Sequence, residues 1–322
     1  MASHAMIKEN QTRGSASWIS GVLILLAHAV LFYISYTLNQ QSEVPQKLLL
    51  QIVSVVSLVV GLVGVAQVAR SRKDFIPAAL LFTVSVFFVE ALLRVNQVPA
   101  GLIPTPSRVV QALYTAREVL LMDVFYTFVL EALVGFVAGI VIGVLASMLV
   151  ARFKFLELGV LPYASIFSSI PIVALAPVMV KAIGLEWPSK AAVVAVTVIF
   201  PIIVNVVRGL QSASPLHLDL MHSYAASPMR IFFDVRVPTA LPYFFNALKI
   251  STTLSLISAI VAEFFGTTGN GLGFRIQIEA GRFNFDIVWA AIVVASVIGI
   301  AFFSLIGALE RKVTGWHASF RS

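Results

Sequence analysis

Long apolar runs separated by short polar stretches set the pattern of this chain. Eight runs come near or exceed the roughly 20 apolar residues a helix needs to cross a bilayer. They are 18–38, 48–69, 75–93, 124–150, 160–182, 191–207, 245–265 and 287–309. Between the last three lie a polar, amphipathic island at 215–242, PLHLDLMHSYAASPMRIFFDVRVPTALP, and a glycine-rich loop at 266–286. The pattern predicts an all-α, polytopic membrane protein of about eight transmembrane helices.

Composition agrees with that pattern. The chain has 322 residues, 59% hydrophobic and only 11% charged, too apolar for a soluble domain of this size. It has no cysteine, which excludes a disulfide framework and a thiolate metal site. The net charge of +7 would suggest nucleic acid in a soluble protein. Here the charges sit in short loops and read as positive-inside signals, so no nucleic-acid partner is expected.

Eight spans put both termini on one side, and the excess of Lys and Arg, led by ARSRKD at 69–74, puts that side in the cytoplasm. The island then faces the cytoplasm too. Lys190 counts among the outer-loop charges, and Lys249 is expected at the inner interface, its stem snorkelling toward water. The expected organisation is a polar N-terminus at 1–17 that does not read as a cleaved signal, and a membrane pair at 18–70. A core follows at 71–312 with its cytoplasmic loop at 209–240, then a tail at 313–322.

Within the fourth span, Gly135, Gly139, Gly143 and Ser147 recur every four residues. Small residues so spaced share one helix face and permit close packing. The fifth span holds Pro162, Pro171 and Pro177, with Ser165, Ser168 and Ser169 nearby to satisfy freed carbonyls. Such a helix lines a pathway or is kinked for packing. Residues 102–121 predict one short surface helix, with Thr105 as N-cap and Pro106 at the first position. The 266–286 loop lacks the lysine of a phosphate-binding loop and predicts a turn plus a short re-entrant or surface segment. No metal or nucleophile motif is present, and the five histidines read as surface or packing residues.

In the island, Ser214 and Pro215 predict a helix start, with Leu216, Leu220 and Tyr224 on one face and Asp219 and His222 elsewhere. Pro228 interrupts, and Ser227 caps a second short turn. The result is a helix lying across the membrane rather than through it, able to rest on lipid or to dock a soluble partner.

Six collinear segments from Leu102 to Trp316 resemble permease subunits of ATP-binding-cassette importers, in the branch that serves nitrate, sulfonates, taurine, bicarbonate and thiamine-precursor pyrimidines. They are LIPTPSRVVQAL, EALVGFVAGIVIGVLASML, SIPIVALAPVMVKAIG, VRVPTALPYFFNALKIS, VAEFFGTTGNGLGFRI and LERKVTGW. The resemblance implies a permease core in the inner membrane. It further implies a second permease copy, identical or different, two ATPase subunits, and a periplasmic or lipid-anchored binding protein. ATP and magnesium would sit on the ATPases, and this chain would bind no cofactor and catalyse no hydrolysis.

In that family the loop pattern EAA…G…LP forms a short helix that docks in the ATPase. Carried over, Asp219 stands at the Glu position, Leu220 and Met221 at the Ala positions, Ala225 at the Gly position and Pro238 at the LP proline. The first half departs from the pattern and the second keeps it. The implied coupling segment comprises Leu216, Asp219, Leu220, Met221, His222, Ser223, Tyr224, Ala225, Ala226, Ser227, Pro228, Met229 and Arg230. Leu220, Met221, Tyr224 and Met229 serve as knobs. The pair of spans at 18–69 has no counterpart in the branch, whose members usually have about six.

Glu90, Glu131 and Glu263 are ionisable residues within spans and therefore functional candidates. Glu131, Ser165, Ser168, Ser169, Pro171, Asn205 and Glu263 make up the candidate substrate path. Glu131 either repels anions, which favours a pyrimidine-like heterocycle over nitrate, sulfonate or taurine, or is tied to a neighbouring helix or to Arg117. Glu263 lies on the path or fixes the turn that follows it. An ion-coupled secondary transporter remains the alternative class.

Overall fold

The computed structural model describes residues 2–38, 44, 46–71, 74–153, 155, 156, 159, 163, 166 and 170–316, with only the backbone over 2–18. The described residues are helical, and seven helices among them are long and apolar enough to cross a membrane. The fold is all-α, and two compact units divide it. One holds Met1–Thr115 and Phe283–Trp289, the other Ala116–Arg282 and Ala290–Ser322.

The first unit contains α1 (Ala2–Leu38), α2 (Lys47–Ser71), α3 (Ile76–Val95) and α4 (Pro106–Thr115). Leu31, Ile34, Ala91 and Val95 form one buried cluster, and Ile24, Val65 and Val84 another. Close approach depends on Gly61, where an added Cβ would come to 2.8 Å from Val84. His28 is a packing residue: Nδ1 meets the Ile24 carbonyl at 2.8 Å and Nε2 the Thr83 hydroxyl at 3.0 Å. Glu90 has a structural partner for each oxygen. Oε2 accepts the Ser107 N–H at 2.8 Å, and Oε1 accepts from Arg94 Nε at 2.6 Å and the Ser107 hydroxyl at 2.7 Å. The carboxylate thus caps α4 from another helix. Thr105 was expected in that role, but its hydroxyl meets the Ser107 hydroxyl at 3.0 Å instead.

The second unit contains α5 (Arg117–Val124), π1 (Phe125–Leu133), α6 (Val134–Arg152), α7 (Ile172–Ile183), α8 (Trp187–Gln211), α9 (Pro215–Ser223), α10 (Pro228–Ile231), π2 (Phe232–Arg236), α11 (Val237–Glu263), α12 (Leu272–Gly281) and α13 (Phe285–Val313), whose first turns belong to the other unit. Its core joins Phe136, Val194, Val198, Ile202, Ala247, Ala259 and Phe302, with the Phe136 and Phe302 rings edge to face at 4.9 Å.

The glycine face of α6 packs on α8. A Cβ at Gly135, Gly139 or Gly143 would come to 2.5, 2.7 and 2.8 Å from Val194, Val198 and Ile202 respectively. Both partners advance four residues at a time, so the backbones stay close for two turns. Ser147 extends the face, fully buried, with its hydroxyl donating to the Gly143 carbonyl at 2.6 Å.

Several sequence expectations change. The single helix over 102–121 is two, broken at Ala116 (φ −97°, ψ 11°). The fourth span begins at Arg117 rather than 124 and runs unbroken to Arg152. The seventh begins at Pro228 rather than 245, so the second half of the polar island is the start of a spanning helix. Pro238 and Pro242 do not end it. Pro238 follows directly on π2, whose wider turn accommodates the ring and the missing N–H. The Thr239 hydroxyl adds a bond to the Val235 carbonyl at 2.7 Å. Of the expected fifth span only α7 and its flank are described. Lys249, its side chain 26% exposed, pairs with Glu310 at 2.8 Å.

Candidate functional site

The island reduces to a short helix, a turn and the first turn of the next helix. Pro215 opens α9, though the Ser214 hydroxyl takes no backbone N–H. The helix closes in a Schellman motif. Ala226 N–H bonds the Met221 carbonyl at 3.0 Å and Ala225 N–H the His222 carbonyl at 2.9 Å, with Ala225 left-handed at φ 50°. Glycine is the usual residue there because it carries no Cβ. The family pattern aligned on sequence also has glycine at this position. Ser227 then accepts the Arg230 N–H at 3.4 Å and caps α10, as expected.

Leu216, Leu220 and Tyr224 project from one face of α9, 74%, 51% and 77% exposed. Residues four apart stack on one helix face, so they form a continuous apolar stripe outside the spans. An exposed stripe of this kind is a mark of an interaction surface. Met229 is also exposed, whereas Met221 is half-buried and contributes less to that surface than its sequence position implied. Asp219 and Ser223 lie on the exposed helix, linked by the Ser223 hydroxyl to the Asp219 carbonyl at 2.9 Å.

A second constellation is buried. α12 begins with Gly271 at the N-cap (φ 122°), and its leading N–H groups have no partners within the helix. Side chains from two other helices supply them. Asp123 Oδ1 accepts from Gly271 N at 2.9 Å. The Thr127 hydroxyl oxygen accepts from Leu272 N at 2.7 Å. Glu263 Oε2 accepts from Gly273 N at 2.5 Å and Phe274 N at 3.1 Å. Asp123 also pairs with Arg275 at 2.8 Å. Glu263 therefore fixes the segment that follows it.

Glu131, 1% exposed, is a buried neighbour of Glu263 from another span. Its Oε2 has no partner among the described residues. Lys190 lies in the field of both carboxyls. Counted from sequence as an outer-loop charge, it is 0% exposed and donates to the Leu185 and Glu186 carbonyls. Burial is tolerable because both signs of charge meet there.

Two of the other path candidates, Asn205 and Pro171, are among the described residues. The Asn205 amide donates back to the Pro201 carbonyl of its own helix at 2.8 Å. Pro171 is the N-cap residue of α7. Ser165, Ser168 and Ser169 lie outside the described residues. Sequence reasoning missed Lys190, and also Asp123 and Thr127, whose partners lie far along the chain. It also missed Ser251, Ser255 and Ser258, all 0% exposed. Their spacing of four and three places them on one face of α11, a signal that was available.

Residues 135–315, more than half of the chain, match the family described as the binding-protein-dependent transport system inner membrane component. The chain is similar to a probable ABC transporter permease protein of Haemophilus influenzae, 28% identical over 235 residues that cover 73% of this chain and 95% of that relative. It is also similar to the formylaminopyrimidine transport permease protein of Halalkalibacterium halodurans, 31% identical over 67% of this chain and 86% of that one. Among solved structures, an inward-facing conformation of the MetNI methionine ABC transporter shares the fold. Its TM-score is 0.52 and its identity 21%, covering 62% of this chain and 98% of that one.

Proposed function

This chain belongs to the binding-protein-dependent transport system inner membrane component family and is a permease subunit of an ABC importer; from that premise we propose how it works and what it carries. Family membership sets aside the ion-coupled alternative. The stripe of Leu216, Leu220 and Tyr224 is the surface that docks an ATPase, and it is the observation that carries the reading. It is apolar, exposed and held by α9 between two long helices. ATP and magnesium belong to the two ATPases.

Two permease copies enclose the path, and both termini and α9 face the cytoplasm. ATP-driven closure of the ATPases moves the α9 helices and shifts the membrane halves between two states. The bound nucleotide acts through its preference for one of them. A periplasmic or lipid-anchored binding protein delivers the solute outside.

The solute class we propose is a pyrimidine-like heterocycle. The 31% identity to a permease named for formylaminopyrimidine supports it. Small anions such as nitrate, sulfonates or taurine are the alternative.

Two measurements test these readings. Leu220→Asp with Tyr224→Asp should abolish co-purification of the ATPase while leaving the permease's own thermal stability unchanged. Retained association sinks the docking assignment. In proteoliposomes of the assembled importer, ATPase activity should rise with a formylaminopyrimidine and not with nitrate or taurine. The reverse pattern replaces the heterocycle with an anion.

A further inference from the structure

The opposite face of α9 has its own feature. A cleft of about 750 Å³ lies between the end of α6, α9 and the α10–π2 turn. Met148, Leu149, Ile231 and Phe232 give it an apolar wall, and Arg152, Arg236 and His222 stand around it. No acidic residue lines it among the described residues. Elsewhere in this unit the basic side chains that neighbour acids are paired: Arg230 with Asp234, Lys249 with Glu310 and Arg275 with Asp123. Arg152 and Arg236 have no hydrogen bond or ion pair among the described residues.

We propose that this cleft binds an anionic phospholipid, its phosphate between Arg152 and Arg236 and an acyl chain along Met148, Leu149 and Phe232. Three observations favour that occupant. Arg152 is the last residue of one spanning helix and Arg236 lies in the first turns of another, so both stand toward span ends. Basic pockets between spanning helices at such ends suit anionic headgroups. The wall beside the arginines is apolar and uncovered, with Met148 and Leu149 both exposed. A free phosphate would leave that wall in water, whereas an acyl chain covers it. Finally, Leu218 and His222 line the cleft while Leu216, Leu220 and Tyr224 do not. Lipid and ATPase would share α9 without sharing a face. The bound lipid would brace the helix against the spans from behind. The inference rests on the chain spanning a membrane, and not on the solute or the ATPase.

The test uses the full chain alone, so its outcome is independent of the importer's partners. The protein is exchanged into nanodiscs of phosphatidylcholine with phosphatidylglycerol, released, and its retained lipids are weighed by native mass spectrometry. Phosphatidylglycerol should be retained preferentially, and Arg152→Gln with Arg236→Gln should lower that retention about tenfold. Arg208→Gln, an exposed arginine outside the cleft, should leave it unchanged, and Leu149→Gln should weaken it with the arginines intact. The proposal is overturned if phosphatidylcholine is retained equally, or if Arg208→Gln has the same effect as the cleft variants. It is also overturned if inorganic phosphate raises the melting temperature as much as phosphatidylglycerol does, because the site would then take any anion. A cleft that shows no lipid preference and is protected from labelling only in the ATPase complex belongs to that protein, which also overturns it.

Discussion

The Thr127 hydroxyl donates to Glu263 Oε1 at 2.5 Å across 136 residues of sequence. The same oxygen accepts the Leu272 N–H, so one threonine joins two spanning helices to the start of α12. Thr127→Val keeps the shape and removes both bonds. A buried polar group left without a partner costs about 1–3 kcal/mol. The melting temperature of the purified chain should fall by several degrees, while Thr127→Ser stays near the parent. Equal melting of the two variants would show that the hydroxyl is dispensable.

The clamp around α12 leaves no room at its N-cap. A Cβ on Gly271 would come to 2.5 Å from both Glu263 oxygens, and the residue has φ 122°. Gly271→Ala should therefore reduce folded yield severely. Gly281→Ala, at the other end of the same helix, meets nothing within 4 Å and should express normally. Comparing the two by size-exclusion yield isolates the steric cause from the loss of glycine as such.

The α6–α8 seam makes a parallel case inside the membrane. At Gly139 the added methyl would come to 2.7 Å from Val198 and 2.8 Å from the Ala195 carbonyl. Overpacking of this kind costs about 1–3 kcal/mol, so Gly139→Ala should lower thermal stability and uptake together. Gly307→Ala faces open space and should change neither.

One substitution should improve the protein. Ala225 holds a left-handed conformation at φ 50°, which costs a residue with a Cβ about 1–2 kcal/mol. Ala225→Gly removes that cost, offset in part by the greater freedom of glycine when unfolded. The net gain should be up to about 1 kcal/mol, read as a small rise in melting temperature. A fall would mean the turn does not adopt this Schellman geometry in solution.

Much of the architecture was legible in the pattern of residues. Hydropathy located the spans because each must bury about 20 apolar residues in lipid. Spacing of four exposed the glycine face of α6, and the later packing against Val194, Val198 and Ile202 follows from it. The α9 stripe was legible for the same reason. Hydropathy starts the seventh span at 245 rather than Pro228 because Arg230, Asp234 and Arg236 interrupt the apolar run. Capping misled at Thr105, where the nearest hydroxyl was outcompeted by Glu90 from another helix.

The amino-acid sequence by itself determined that this chain lives in a membrane, that it is helical, and that one short amphipathic helix stands outside the spans. Those properties depend on local periodicity and transfer free energy, which neighbouring residues decide among themselves. The tertiary structure alone decided what the charges do. Glu263, Asp123 and Thr127 became the cap of a distant helix, Glu131 and Lys190 became buried neighbours, and Arg152 and Arg236 met at one cleft. A charge inside a low-dielectric interior takes its role from whichever partner the fold brings within reach, and that partner can lie more than a hundred residues away.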